Sequence, residues 1–232
     1  MPRREPLNRE KVLDAALALA DAEGLDGLSM RRLAKTLGVE AMSLYNHVAG
    51  KADLLEGLVE RVFAEVDPPD PGLPWHEQVR ALALSMHQAF SRHPVVPLAL
   101  VTDQVNPTSL RAIRPLDTLV GALYGAGFDD VGAWRALNAV NGVVFGTLLL
   151  STGGFTGDPG MHAGSRQVDA YVRELDAEAL PHFSRLLRGT RRGVDLEADF
   201  RQALDVVITG LMEWNKAFRS ARVESPRKGA HP

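Results

Sequence analysis

Side chains suited to binding an anion are concentrated between residues 27 and 51 of this chain. Four basic residues stand there against one acidic residue, although the whole chain has a net charge of −3. Lys51 heads a predicted helix, where its ammonium group and the adjacent backbone N–H groups can meet one phosphate. This local excess of positive charge on an acidic chain favours contact with nucleic acid at one end of the molecule.

The elements that must position these side chains are two short helices joined by a tight turn. Ser29 is a suitable N-cap for the first helix, and Gly38 ends it with the backbone freedom that a sharp turn requires. The second helix is predicted over 40–47, with Leu44 and Val48 on its buried face. The opposite face carries Ala41, Met42, Ser43, Tyr45, Asn46 and His47. This arrangement is a helix-turn-helix, whose second helix can enter the major groove of DNA.

Residues 7–66 resemble the DNA-binding domain of the TetR family, the tetracycline-repressor-like transcriptional regulators. The matching words are LNREKVLDAAL, GLDGLSMRRLAKTLGVE and SLYNHVAGKADLLEGL. Several fixed spacings must hold at once for all three words to match, which argues against a chance resemblance.

The resemblance implies that Tyr45, His47 and Lys51 clamp the DNA backbone, whereas Arg31 reaches a guanine edge. The variable positions of the family contact bases, and two of them hold residues here that offer only apolar contacts, for instance to a thymine methyl group. These variable positions are Ala41, Met42 and Ser43, and Asn46 completes the predicted DNA-binding set.

The hydrophobic spacing elsewhere indicates helices and shows no period-2 strand pattern. Four prolines between residues 67 and 74 stiffen the chain and mark a domain boundary. We therefore predict an all-α fold: an N-terminal three-helix helix-turn-helix domain and, by the resemblance, a C-terminal helical ligand-binding and dimerisation domain. The predicted domains are 1–66 and 75–222, with a linker over 67–74 and a disordered tail over 223–232. Helices are expected over 75–92, from 129 or 130 to 150, over 168–187 with a break at Pro181, and over 196–218.

Two helices of the C-terminal half have more apolar surface than one buried face requires. The last helix carries apolar residues in alternating steps of four and three, and the helix containing Trp134 is apolar on two sides. Burial within the chain is one explanation. The resemblance favours dimerisation, since the family is similar in forming a four-helix bundle from two such helices of each subunit. The predicted interface residues are Trp134, Leu137, Val144, Leu148, Leu204, Val207, Leu211 and Trp214.

The C-terminal half resembles the ligand-binding domain of the tetracycline-repressor subgroup, in a Trp after the Pro-rich linker and in an A-x-x-A-V-x-x-x-x-x-G run from Ala136. The subgroup holds drug and magnesium with histidines and a glutamate, whose positions fall here on Asp67, Ala99 or Leu100, and Leu150. We therefore predict no metal and no cofactor, and a mostly apolar small-molecule inducer between helices. Candidate contacts are His87, Gln104, Asn138, Asn141, Phe145 and Thr147. The alternative for each polar one is a hydrogen-bonded core residue or a dimer contact.

Several function classes have no support in the sequence. No Gly-rich phosphate loop followed by Lys-Ser/Thr occurs, and no G-x-S-x-G, so an enzyme is not predicted. The chain has no cysteine, which excludes disulfides, thiolate metal sites and cysteine nucleophiles. Its longest apolar stretch, 139–150, is shorter than the ~20 residues of a membrane helix. No apolar run follows the first arginines, so no secretory signal is predicted and a cytoplasmic location is expected.

The function that these observations favour is a ligand-responsive transcriptional regulator, and most members of the family it resembles are repressors. Such a protein would bind a palindromic operator in double-stranded DNA as a homodimer and be released by a small-molecule inducer. The alternative is a ligand-binding or scaffolding protein of the same fold that does not bind an operator. The basic helix-turn-helix favours the regulator.

Overall fold

The computed structural model describes residues 6–102, 105, 107–153, 173–189 and 195–224. These ranges contain helices and no strand, so the predicted all-α fold class is confirmed. The helices are α1 (Arg9–Gly27), α2 (Met30–Leu37), α3 (Ala41–Leu44), α4 (Lys51–Phe63), α5 (Trp75–Arg92), α6 (Val95–Val101), α7 (Leu110–Gly125), α8 (Asp130–Gly153), α9 (Pro181–Gly189) and α10 (Leu196–Glu224). Across the described part of the chain, none of them combines the length and apolar character needed to cross a membrane.

The chain forms two compact units that do not coincide with the predicted domains. The first unit comprises Met1–Leu73 and Leu84–Gly121, and the second comprises Pro74–Ala83 and Ala122–Pro232. The first unit is larger than a helix-turn-helix domain because α6 packs against α1 and α4 within it. The domain bounds read from the proline-rich segment therefore stay a prediction.

The core of the first unit includes a close approach of α1 to α4. A Cβ atom built at Gly57 of α4 would come within 2.5 Å of Leu13 Cδ2 of α1, so glycine is what lets the Leu13 side chain fit. Further along α4, the rings of Phe63 and Phe90 meet edge to face with their centroids 5.3 Å apart. The first contact holds α4 against α1 and the second holds α4 against α5, so α1 and α4 form a base for the two helices between them.

The second unit is built around α8 and α10, which pack along each other. Buried apolar side chains line this contact: Val140, Val144 and Leu148 on α8, and Leu204, Ile208 and Leu211 on α10. Phe128 lies between two tryptophans, with ring centroids 5.6 Å from Trp75 and 5.5 Å from Trp214. Much of the apolar surface that the sequence assigns to a dimer interface is therefore covered by the same chain.

The predicted break is present and lies just before Pro181: residues 173 and 174 are helical, 175–180 are not, and Pro181 begins α9. Just before it, the Asp176 carboxylate accepts hydrogen bonds from the backbone N–H groups of Glu178 and Ala179 at 2.9 and 3.1 Å. This turn ends the preceding segment, and proline is well suited to the first helical position because it has no N–H to leave unpaired.

The helix over 75–92 is confirmed, and two later helices are longer than expected. α8 continues to Gly153 and α10 to Glu224, so residues 223 and 224 are helical and do not belong to a disordered tail. The rest of that predicted tail, residues 225–232, lies outside the described residues, as do 154–172.

Candidate nucleic-acid interface

The first helix of the helix-turn-helix is capped at both ends as predicted. Ser29 Oγ accepts a hydrogen bond from the Arg32 backbone N–H at 3.3 Å. Gly38 adopts a left-handed conformation with φ of 65° and ends α2, which no residue with a side chain does without strain. Leu33 and Ala34 are buried, so they fix which side of α2 faces the core.

The second helix of the motif is shorter than predicted. α3 ends at Leu44, and residues 45–47 continue as turns, so a helix through His47 is wrong. The Leu44 carbonyl accepts both the His47 and the Val48 N–H, at 2.9 and 3.0 Å, and this sharing tightens the backbone after a single helical turn. The buried face is confirmed, since Leu44 and Val48 are both buried.

The exposed side of this segment presents the residues expected to read DNA. Met42 is 75% exposed and Tyr45 is 49% exposed, and Asn46 is exposed as well. Three further members of the predicted set are half-buried: Ala41, Ser43 and His47. The one-turn helix held by Leu44 and the turn after it thus carry large side chains that no core contact explains.

The two arginines at the start of α2 differ in what they contact. Arg32 forms an ion pair with Glu23, at 2.6 Å between Nη2 and Oε2. Arg31 is exposed and has no ion-pair partner among the residues that the structure describes. The member of the pair that the family resemblance selects for DNA contact is therefore the one whose charge is not neutralised by the protein.

Lys51 has a contact that the sequence did not reveal. Its Nζ donates a hydrogen bond to the backbone carbonyl of Leu25, near the end of α1, at 3.3 Å. An ammonium group has three donors, so this bond leaves two for a phosphate. The bond places the predicted phosphate contact at the meeting point of α1 and α4.

Arg9 and Asp53, which the sequence analysis did not select, form a bidentate ion pair between α1 and α4. Arg9 Nη2 lies 2.6 Å from Asp53 Oδ1, and Nη1 lies 3.0 Å from Oδ2. Nη1 also donates to the His47 carbonyl at 3.0 Å, and Asp53 Oδ2 accepts the Ala49 N–H at 2.7 Å. The sequence offers one signal for this pair: Asp53 stands three positions after Gly50, the position from which a carboxylate can cap the start of a helix. We call these two residues the Arg9–Asp53 clamp.

The charge state of the Arg9–Asp53 clamp follows from its hydrogen bonds. The bond from Arg9 lowers the pKa of the Asp53 carboxyl below its usual value; burial opposes this in part, and the bond from the Ala49 N–H adds to the lowering. The same bond raises the pKa of Arg9. Both groups are therefore ionised at neutral pH.

The residues predicted to contact a ligand are divided between the two compact units. His87 belongs to the first compact unit, whereas Asn138, Asn141, Phe145 and Thr147 belong to the second. Gln104 lies outside the described residues. Within the described ranges, no three His, Asp or Glu side chains come together in a way that could hold a metal ion.

The polar candidates on α8 differ in how they are satisfied. Thr147 Oγ1 donates to the Val143 carbonyl of its own helix at 2.7 Å, so its proton is already used. Asn138 is exposed. Asn141 is half-buried, yet its Oδ1 atom is buried and accepts no hydrogen bond from any described residue. Asn141 is therefore the candidate with an unmet requirement for a donor.

The predicted dimer residues divide into covered and uncovered ones. Val144, Leu148, Leu204 and Leu211 are buried within the chain itself. Leu137, Val207 and Trp214 are half-buried, and Trp134 is 65% exposed. Two valines that the sequence analysis did not select, Val131 on α8 and Val206 on α10, are also exposed.

Comparison with known families gives two matches. The model for bacterial regulatory proteins of the tetR family matches residues 12–58, and the model for the tetracyclin repressor-like C-terminal domain matches residues 68–214.

Two curated relatives and one solved structure are similar to this chain. The HTH-type transcriptional repressor DrrR1 of Streptomyces coeruleorubidus is 33% identical over 153 residues, 62% of this chain and 55% of the repressor. The match thus spans little more than half of DrrR1. The tetracycline repressor protein class A from transposon 1721 of Escherichia coli is 30% identical over 229 residues, 96% of this chain and 98% of that protein.

The solved structure is the TetR family protein ActR of Streptomyces coelicolor in complex with actinorhodin. It has a TM-score of 0.70 and 29% identity, covering 91% of this chain and 99% of that chain. With one family model matching residues 68–214 and a relative matched along nearly its whole length, this chain belongs to the TetR family of bacterial regulatory proteins.

Proposed function

We propose that this protein is a homodimeric transcriptional repressor in the cytoplasm that binds a palindromic DNA operator and is released by a small-molecule inducer. The observation that carries this proposal is an exposed set of three side chains: Met42 on α3, and Tyr45 and Asn46 in the turn that follows it. The buried Leu44 holds this set outward, and the neighbouring α2 presents Arg31, which is exposed and forms no ion pair with a described residue. Large exposed side chains on an anchored one-turn helix and on the turn that follows it, next to a basic helix, suit the major groove.

The proposed contacts divide into two kinds. Tyr45, His47 and Lys51 meet phosphates and position the protein, whereas Arg31 and the residues at the start of α3 meet base edges. Lys51 keeps its bond to the Leu25 carbonyl and uses its remaining donors on the phosphate. DNA affinity should therefore depend strongly on salt, and specificity should depend on few side chains.

Tyr45→Ala is expected to weaken operator binding about tenfold, since a hydrogen bond to a charged phosphate is worth about 1.5–3 kcal/mol. Tyr45 is uncharged, so the salt dependence should not change. Lys51→Ala should weaken binding and also reduce the slope of log affinity against log salt by about one. Fluorescence anisotropy at several salt concentrations measures both, on duplexes that the wild-type protein selects from a random-sequence library.

Tyr124→Ala is the matched control, because Tyr124 is 48% exposed and lies outside the helix-turn-helix. It should bind like wild type. A wild-type protein that selects no sequence and binds DNA without salt dependence would contradict the proposal. The ligand-binding or scaffolding alternative would then be the better one.

The surface we propose for a second copy is the uncovered part of α8 and α10. Trp134 and Val131 are three residues apart, so they share one side of α8, and Val206 is exposed on α10. Four of the eight predicted interface residues are already buried within the chain, so they support this surface from beneath. A short recognition segment reads few base pairs, and two-fold symmetry doubles the site.

The proposed inducer is mostly apolar and carries a hydrogen-bond donor. The donor is motivated by Asn141 Oδ1, which is buried and accepts no hydrogen bond from a described residue, because a buried amide oxygen left without a donor costs about 1–3 kcal/mol. The solved structure of ActR with actinorhodin is one case in which a protein of this family holds a small molecule. Actinorhodin is accordingly a first probe for binding.

Asn141→Leu is expected to stabilise the free protein by about 1 kcal/mol, because it removes an unsatisfied buried acceptor at similar volume. The same change should abolish the response to the inducer. Thermal unfolding and inducer-dependent release of DNA measure the two effects. Thr118→Val is the control, because Thr118 Oγ1 donates to the Arg114 carbonyl of its own helix at 3.0 Å and Thr118 is not a candidate ligand contact. It loses a satisfied hydroxyl and should lower stability slightly without changing release. A destabilised Asn141→Leu protein that still responds would remove Asn141 from the ligand site.

Release works through a shift between two dimer conformations. Operator binding requires the two recognition segments to lie about 34 Å apart, one helical turn of DNA. An inducer that prefers another spacing lowers operator affinity only by the ratio of its affinities for the two conformations. A dimer that keeps full operator affinity at saturating inducer would contradict this mechanism.

A further inference from the structure

The Arg9–Asp53 clamp reaches the backbone on both sides of Val48, directly after the recognition segment. The guanidinium bonds the His47 carbonyl at 3.0 Å, and the carboxylate bonds the Ala49 N–H at 2.7 Å. Both groups belong to neighbouring helices, since Arg9 is the first residue of α1 and Asp53 lies in the first turn of α4. The turn that follows α3 is therefore tied to α1 and α4 by side chains.

We propose that Arg9 and Asp53 are positioning residues for operator recognition, which act by fixing the backbone that carries Tyr45 and His47. This inference rests on the proposed DNA-binding function and assigns neither residue a contact with DNA. α3 is a single turn without a side-chain cap at Glu40, so its own hydrogen bonds hold it weakly. The orientation of the segment must therefore be set from outside.

The geometry of the clamp distinguishes it from an ordinary surface ion pair. Isolated exposed pairs contribute little because solvent screens them and long side chains lose rotamer freedom. Here the guanidinium uses its planar fork on both carboxylate oxygens and one further donor on a carbonyl. Each side chain of the clamp is therefore bonded to the backbone as well as to the other side chain. Together these bonds fix one backbone arrangement of residues 47–49.

The chain provides a matched comparison in the ion pair of Arg61 and Asp14. That pair also joins α4 to α1. Among the hydrogen bonds of the described residues, none connects Arg61 or Asp14 to the segment 40–50. If the clamp only fastened two helices together, the two pairs should be equivalent in their effect on DNA binding.

The test compares four single variants of the full-length protein: Arg9→Gln, Asp53→Ala, Arg61→Gln and Asp14→Ala. Operator affinity is measured on the duplex that the wild type selects, at a temperature where all variants are folded. Arg9→Gln and Asp53→Ala should each weaken binding about tenfold, the size expected for a lost charged hydrogen bond. The double variant Arg9→Gln/Asp53→Ala should bind the operator only slightly more weakly than either single variant. Each substitution alone already disrupts the same arrangement of hydrogen bonds. The Arg61 and Asp14 variants should stay within about twofold of wild type.

Arg9→Lys separates geometry from charge. Lysine keeps the positive charge but not the fork, so it should resemble Arg9→Gln in operator affinity. Wild-type affinity in Arg9→Lys would overturn the proposal, since charge alone would then suffice. Equal losses in the clamp variants and in the Arg61 and Asp14 variants would overturn it as well.

Amide hydrogen exchange tests the clamp without DNA. The Ala49 N–H donates to Asp53, so its exchange should be at least about tenfold faster in Asp53→Ala and unchanged in Asp14→Ala. If the wild type selects no DNA sequence, the proposed function fails, and this exchange result decides the clamp separately. Unchanged exchange of the Ala49 amide in Asp53→Ala would overturn the clamp whatever the DNA result.

Discussion

Trp134→Glu is expected to convert the proposed dimer into monomers at micromolar concentration. Trp134 is 65% exposed in the single chain, and the exposure of a large apolar ring to water is unfavourable. A large aromatic side chain buries about 150–250 Å² at an interface, and the substitution replaces that burial with the burial of a carboxylate from each subunit. Sedimentation velocity measures the change directly. Operator affinity should fall by a factor on the order of 100, because a monomer reads only one half-site.

Leu110→Glu provides the control for Trp134→Glu. Leu110 on α7 is 83% exposed, so this variant makes a similar change from apolar to acidic on a surface outside the proposed interface. It should remain dimeric and keep its operator affinity. If the Trp134→Glu protein remained dimeric, the interface would have to lie elsewhere than on this side of α8.

The parts of the fold that could be predicted from the sequence are those determined by local chemistry. Ser29 and Gly38 set the ends of α2 because a hydroxyl cap and a left-handed glycine act on the nearest backbone groups. The helix over 75–92 was predicted for a similar reason, since prolines stand just before and just after it. Such signals need no knowledge of the tertiary structure.

The parts that could not be predicted depend on contacts between distant residues. The length of α3 follows from how the Leu44 carbonyl is shared, and a helical pattern in the sequence does not show that sharing. Arg9 and Asp53 are 44 positions apart, so no spacing rule brings them together. The contact between two residues so far apart in the sequence can be recognised only once the packing of α1 on α4 is known.

The proposed dimer surface shows the same limit in another form. The alternating steps of the last helix correctly selected apolar residues, but Leu204 and Leu211 turned out to be covered by α8 of the same chain. A hydrophobic pattern reports that a face is buried and does not report by what. Val206, which the pattern left out, is among the exposed apolar residues of α10.

Leu44→Ala is expected to lower the free energy of unfolding by about 3 kcal/mol, since fully buried leucines cost about 2–5 kcal/mol on truncation. Leu44 is 0% exposed and is the only buried residue that α3 contributes within its four positions. Because it is also the anchor that holds Met42 and Tyr45 outward, operator binding should be lost together with stability. Urea unfolding followed by circular dichroism measures the first effect, and anisotropy on the selected duplex measures the second.

Met42→Ala on the same helix separates the anchor from the reading surface. Met42 is 75% exposed, so its truncation leaves no cavity and should change stability by no more than about 0.5 kcal/mol. If Met42 contacts a base, its loss should weaken binding to the selected duplex while leaving affinity for unrelated duplexes unchanged. Leu44→Ala should weaken both, since it displaces the phosphate contacts as well. A Leu44→Ala protein with wild-type stability would mean that α3 is held by the clamp and by Val48 rather than by its own buried side chain.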